Sequence, residues 1–320
     1  MPWLPKCYLV LEGGGVKGSA LVGGLKKLEE EGVQITGYAG VSAGSIVAAL
    51  HAVGYPADEL RAIMTKKSFL DFLDGFRSNF DLRAMLYEFP KVSLKNPLKV
   101  LALLRFSFKH KVFALARKIY NEKGLYDGKA FYEWIKKLIE ARGPKDPNGR
   151  VTFGKMKLAG KDIRILAANL ARRKYERFDA TTYADMELAD AVRASMAIPL
   201  FFKPFPYSHN YFVDGGIVSN FPAWLFAKES QEMGIPIVGF RLEGENYRKV
   251  DAFGEYCSAL FNTIFEGANE IQNFNLQNIH PISIDTKSYS TLDFNIKEED
   301  KEFLYMLGYH SVSSYIASHH

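Results

Sequence analysis

The stretch Gly40-Val41-Ser42-Ala43-Gly44 carries the most legible chemistry in this chain. It leaves a short apolar run at Tyr38-Ala39 and opens a run of small residues that continues to Leu50. A G-x-S-x-G pattern between a strand and a helix is a nucleophile elbow: the glycines let the backbone turn sharply and hold a serine oxygen above the end of a sheet. Ser42 is therefore the candidate nucleophile, framed by Gly40 and Gly44. The competing reading is an ordinary strand-to-helix turn.

Two other stretches bear on that choice. Cys7 to Leu11 reads as a buried parallel strand, Glu12-Gly13-Gly14-Gly15-Val16-Lys17-Gly18 follows it, and a helical run begins at Ser19. Strand, glycine loop and helix together form an anion cradle. A dinucleotide site of this kind needs an acid about 20 residues further on. The corresponding region, 33–40, has no Asp or Glu and ends in the serine elbow. The loop N–H groups are instead expected to face an oxyanion forming at Ser42. The second stretch is Tyr211-Phe212-Val213-Asp214-Gly215-Gly216, an apolar strand running into an acid and two glycines. Asp214 is either a functional carboxylate or the acceptor of an Asx-type turn.

A serine hydroxyl needs a base. Of the seven histidines, His51 lies on the elbow helix and is expected to pack away from the reaction. His209, five residues before Asp214, is one candidate base. Asp214 acting directly is the other, since a carboxylate shielded from water has a raised pKa.

The elements that must position these groups are an ordinary α/β set. The chain has 320 residues, 48% apolar and 24% charged, with a formal charge of +5. That length suffices for a large core, and the mild basicity permits contact with anionic surfaces without requiring nucleic acid. Cys7 and Cys257 are expected as buried thiols. The opening residues do not read as a signal peptide, and Tyr8 to Leu11 is too short to span a membrane, so the expectation is a cytoplasmic protein. Helices are expected at Ser19–Glu31, after Ser42, from Pro56, at Phe131–Ala141, at Leu188–Ala197 and after Lys297, and strands near 163–168, 211–214, 235–240 and 281–284.

Between Phe89 and Asn121 there is no acid, while lysines and arginines recur. Leu101, Leu104, Phe108, Val112, Leu115 and Ile119 form a helical stripe there. The segment reads either as a helix packed on the body or as an interfacial helix on anionic lipid. The aromatics from Phe69 to Phe89 read either as core or as a cover over the site.

With these blocks in hand, the chain resembles the patatin-like phospholipases, in particular the compact bacterial members. The glycine loop 13–18, the elbow 40–44 and Asp214-Gly215-Gly216 follow the family order, as do Ala194-Ser195-Met196-Ala197-Ile198-Pro199, Asn220 with Pro222, and Thr291-Leu292-Asp293-Phe294. The resemblance covers nearly the whole chain apart from about 91–121. It implies a three-layer α/β/α sandwich with a mostly parallel central sheet, as a single domain over 1–320. A basic insertion at about 90–121 and a C-terminal helical region from about 248 complete that division. It also implies hydrolysis of lipid acyl esters, of phospholipase A or lysophospholipase type, through a Ser42–Asp214 dyad and an acyl-enzyme.

In that scheme Gly13, Gly14, Gly15 and Val16 supply the oxyanion hole, with Lys17, Gly18, Gly40, Gly44, Gly215 and Gly216 as motif support. No metal or cofactor is expected. The implied partner is a membrane phospholipid or lysophospholipid, with contact to an anionic membrane surface through about 91–120 and none to nucleic acid. Met196, Pro199, Phe202 and Leu21 are candidates for an acyl groove. Many members carry Asp in place of Glu12 and Arg in place of Lys17; Glu12 is expected to stand outside the mechanism, and Lys17 keeps the charge without the planar fork. The alternatives are a soluble carboxylesterase or thioesterase, and a membrane-binding regulatory protein with a residual hydrolase fold.

Overall fold

The first strand, β1 (Lys6–Leu11), alternates between two cores: Cys7, Leu9 and Leu11 enter one, Tyr8 and Val10 the other. A strand that buries both faces must lie between two layers of structure, with neighbours on either edge. In the computed structural model, which describes residues 3–74, 117–244 and 276–319 together with 259, 260, 263, 264 and 267, that is its position.

The chain runs from β1 into a 3₁₀ turn (Gly15–Lys17), α1 (Gly18–Glu30), β2 (Gln34–Gly40), α2 (Ala43–Ala52), α3 (Ala57–Lys66) and a second 3₁₀ turn (Phe69–Phe72). It continues with β3 (Gly124–Tyr126), α4 (Lys129–Arg142), α5 (Phe153–Leu158), β4 (Asp162–Asn169), β5 (Lys174–Phe178) and α6 (Leu188–Ser195). Then come β6 (Leu200–Phe202), β7 (Phe205–Tyr207), β8 (Asn210–Asp214), α7 (Ala227–Met233), β9 (Ile237–Glu243), β10 (Ile279–Asp285) and α8 (Glu298–Ser318). The main sheet has the order β10-β9-β1-β2-β4-β8-β7, with β5 also on β4. The strands β10, β9, β1, β2 and β4 are parallel, while β8, β7 and β5 are antiparallel to their neighbours. Strands β3 and β6 form a separate parallel pair.

The larger core packs α1, α2, α3, α4, α6 and α8 against one face of the sheet. The smaller, with Phe221, Leu225, Phe226 and Ile235, covers the other. This is the α/β/α sandwich expected, a mostly parallel sheet with an antiparallel edge. The chain reverses across β1, since β2 lies on one side of it and β9 on the other, and the carboxyl end of such a strand is where open α/β sheets place their sites. Most of the basic insertion expected at about 90–121 lies outside the described residues, as do Cys257 and most of 248–275; the rest of the helical region expected from about 248 is described and holds β10 and α8. Cys7 is buried, and burial pushes its thiol up to about 12.

Candidate active site

Ser42 ends the turn between β2 and α2 at φ 49° and ψ −123°, a conformation that side-chain-bearing residues rarely adopt. The turn is tied down on several sides. Ser42 N–H donates to Ser195 Oγ at 2.9 Å, and Ser45 Oγ donates to the Ser42 carbonyl at 2.6 Å. Gly44 N–H donates to the Val41 carbonyl at 2.8 Å. A Cβ at Gly44 would overlap the Leu11 carbonyl oxygen, so glycine is what lets α2 start against the end of β1. Gly40 is the last residue of β2 and packs on the Gly44 backbone.

Asp214 is the last residue of β8 and is 1% exposed. The register sets its height beside Ser42. Gly40 pairs with Ile165 on β4, and Ala167, two residues further along, pairs with Asp214 from the opposite side. Ser42, two residues beyond Gly40, is therefore level with Asp214 across the end of β4. The Asp214 Oδ1 accepts the Gly216 N–H at 2.8 Å, while Oδ2 is buried without a regular hydrogen bond. Burial pushes the carboxyl up to about 7 against the opposing pull of the Gly216 N–H and the Ser42 side chain. Gly215 packs against the Leu166 carbonyl and accepts the N–H groups of Val218 and Ser219.

The glycine loop passes over the serine: the position that a Cβ on Gly13 would take lies 3.2 Å from Ser42 Cβ. Gly13 N–H donates to the Asn220 carbonyl at 3.1 Å, and Val16 N–H to the Thr291 carbonyl at 3.2 Å. Among the described residues, the Gly14 and Gly15 N–H groups have no such acceptor. Gly15 sits at φ 55°, where a Cβ would overlap the Thr291 carbonyl. Lys17 is nearly buried, with Nζ near Gly244 beyond the end of β9. Gly18 opens α1 beside Ala43.

Two supports have no obvious signal in the sequence pattern. Glu12 is buried, its Oε2 accepting the Leu242 N–H at 2.5 Å and its Oε1 accepting the Asn220 amide at 3.3 Å. The same amide donates to the Gly13 carbonyl at 3.0 Å. Glu12 thus ties the glycine loop to β9 and to the segment after Asp214. Ser195, at the end of α6, accepts the Ser42 N–H and donates to the Leu166 carbonyl at 2.6 Å. Two residues later the Ala197 carbonyl accepts the Asp214 N–H at 2.9 Å. One short segment therefore holds the backbones of both Ser42 and Asp214.

Ser42 opens on a cleft of about 470 Å³, its open mouth included. The walls are apolar: Ile46, Met64, Phe69, Phe72, Phe131, Trp134, Met196, Ile198 and Phe294, with Gly15 and Val16 at the serine end. Of the aromatics from Phe69 to Phe89, Phe69 and Phe72 are buried and line the cleft, while Phe76, Phe80 and Phe89 lie outside the described residues. Lys301 fixes their turn: its ammonium donates to the Lys67 carbonyl at 2.6 Å and lies 4.1 Å from the centre of the Phe69 ring. Met196 lines the cleft, whereas Leu21 and Phe202 are fully buried core and Pro199 is not part of the lining.

The two histidines weighed from the sequence stand elsewhere. His51 bonds to Tyr38 and Glu29 on the far side of α2. His209 is exposed in the two-residue turn between β7 and β8, at the opposite end of β8 from Asp214. Five residues of strand separate them, roughly 17 Å, which removes His209 as the base.

The chain is similar to several known proteins. A protein of Bacillus subtilis (strain 168) known as uncharacterized protein YqhO is 33% identical over 316 residues, covering 93% of this chain and 94% of its own. The probable lipid hydrolase 463L of Invertebrate iridescent virus 6 is 26% identical over 221 residues, 68% of this chain and 63% of that protein. The crystal structure of VipD from Legionella pneumophila shares the fold, with a TM-score of 0.57 at 19% identity, covering 99% of this chain and 67% of that one. The family model described as patatin-like phospholipase matches residues 9–227, which spans the glycine loop, the serine elbow and Asp214. This chain belongs to the patatin-like phospholipase family, and so to lipid hydrolases in the general sense.

Proposed function

We propose that the protein hydrolyses acyl esters of phospholipids or lysophospholipids through Ser42 and Asp214, with no histidine in the proton path. The observation that carries this reading is a buried carboxylate, raised to about 7, level with a strained serine that lines an apolar cleft. A base whose pKa lies near neutral pH is well matched to taking a proton and returning it.

In the proposed sequence Asp214 takes the Ser42 proton as Oγ attacks the ester carbonyl. The carbonyl electrons move to oxygen, and the N–H groups of Gly14 and Gly15 receive that oxyanion. Collapse expels the alcohol of the lipid, which leaves with the proton held by Asp214. Water then attacks the acyl-enzyme, giving its proton to Asp214, and the fatty acid departs as Ser42 is reprotonated. The N–H groups of Gly13 and Val16, also candidates from the sequence, act in this scheme by fixing the loop.

The wholly apolar wall favours a long acyl chain over the small esters of a soluble carboxylesterase. Each methylene buried there contributes about 0.8 kcal/mol. The test compares turnover of long-chain phospholipid in mixed micelles with that of a short-chain soluble ester. The reading expects kcat/KM to rise with chain length; a preference for the short ester would assign the protein to small acyl esters instead.

A further inference from the structure

Strands β4 and β5 are joined by four residues, Leu170–Arg173, that project beyond the end of the sheet holding Ser42. Ala167 is level with Asp214, so Leu170 stands three residues, or roughly 10 Å, beyond it. Every residue from Leu170 to Tyr175 is exposed. The loop is built rather than loose: Asn169 Oδ1 accepts the Arg172 N–H at 3.1 Å, and Arg173 closes the turn at φ 54°.

Exposed apolar groups collect around this tip. Leu170 is 47% exposed, and its N–H donates to the carbonyl of Tyr211, which is 51% exposed. The Lys123 ammonium lies 5.9 Å from the centre of the Tyr211 ring, and Tyr120, close by in sequence, is 86% exposed. Gly124, next to Lys123, pairs with the exposed Leu200, two residues from Ile198 on the cleft wall. An exposed apolar path thus runs from the tip to Leu200, close in sequence to the cleft wall at Ile198.

The charges on this path are one-sided. Glu122 is engaged by Lys203, and Glu176 by Arg172 at 3.7 Å. Arg173, Lys174 and Lys123 have no ion pair among the described residues. Unpaired cations set among exposed leucine and tyrosine side chains suit a lipid surface, where apolar groups enter the acyl boundary and cations meet phosphate.

We propose that the β4–β5 tip, with Tyr211 and Lys123 beside it, is a docking surface for an anionic lipid membrane that sets the cleft mouth against the headgroups. Its purpose rests on the lipid-hydrolase reading, but docking is measurable without hydrolysis. The experiment uses Ser42→Ala as parent, so that no lipid is consumed, and flotation with vesicles of phosphatidylcholine and phosphatidylglycerol. Its comparison is the same protein carrying Arg173→Asn, Lys174→Gln and Lys123→Asn. Asparagine tolerates the positive φ of Arg173 and Lys123, and equal thermal unfolding of the two proteins verifies the fold.

Each basic side chain near such a surface is worth about fivefold in partition, so the triple variant is expected to bind on the order of 100-fold more weakly. Binding by the parent is expected to fall with added salt and on vesicles of phosphatidylcholine alone. Undiminished binding by the triple variant overturns the proposal, and so does a parent that does not bind anionic vesicles. The Ser42-intact protein on phospholipid in detergent micelles separates the two ideas. Fatty acid released there without vesicle binding defeats docking alone; tip-dependent binding without micellar hydrolysis defeats the hydrolase reading alone.

Discussion

Replacing Asp214 by Asn is expected to abolish activity and, at alkaline pH, to stabilise the fold. The carboxyl rises from 3.8 to about 7 in the folded chain, chiefly through burial. Because the folded state holds this proton more tightly than the unfolded one, stability is highest below pH 4 and is lost as pH rises towards 7. Roughly three units at about 1.4 kcal/mol each give about 4 kcal/mol of destabilisation once the folded carboxylate ionises. Asn has no such titration. Its amide can still accept the Gly216 N–H, but it leaves a buried donor near Ser42, a pH-independent cost of about 1–3 kcal/mol.

The constant cost cancels when the difference in Tm between variant and parent is compared across pH. That difference is expected to grow by roughly 8 °C from pH 4 to pH 8, at about 2 °C per kcal/mol for a chain of this size, and then to level off. Scanning calorimetry from pH 4 to 9 measures it. In the same range the parent's kcat/KM is expected to rise to a plateau with an apparent pKa of about 7. A Tm difference that stays flat from pH 4 to 8, or activity unchanged from pH 5 to 8, would refute the assignment of Asp214 as a shielded base.

Ser195→Ala leaves the Ser42 N–H and the Leu166 carbonyl without their buried partner. It is expected to lower stability by about 2 kcal/mol in urea unfolding, and to lower kcat with little change in KM. Gly15→Ala places a methyl group on the Thr291 carbonyl at φ 55°, so the loop must shift. Fluorophosphonate labelling of Ser42 is expected to slow at least ~100-fold, as for the loss of an oxyanion donor. Met196→Trp fills part of the cleft; a palmitoyl ester is expected to lose at least tenfold in kcat/KM relative to a butyryl ester, measured side by side.

The parts of the site legible in the sequence are those that need a particular backbone. The glycines around Ser42, the loop at 13–18 and the acid-glycine-glycine after a strand each carry a local signature, and the register of β2, β4 and β8 brings them to one level. Direction of pairing is different. That β8 enters antiparallel to β4 depends on contacts some 45 residues apart, and Tyr211 to Asp214 has the same apolar pattern in either direction. Ser195 and Glu12 act through two hydrogen bonds each, mostly to backbone, which leave no periodicity to read. Glu12, expected to stand outside the mechanism, anchors the loop to β9. The position of Phe69 and Phe72 in the cleft wall follows from the anchoring of their turn by α8, more than 200 residues away.

The central claim is that Ser42 and Asp214 together release fatty acid from lipid. Its most direct test is fatty-acid release from mixed phospholipid vesicles by the intact protein, beside Ser42→Ala and Asp214→Ala. The account predicts release by the intact protein and background levels from both variants. Release that survives in either variant would contradict it.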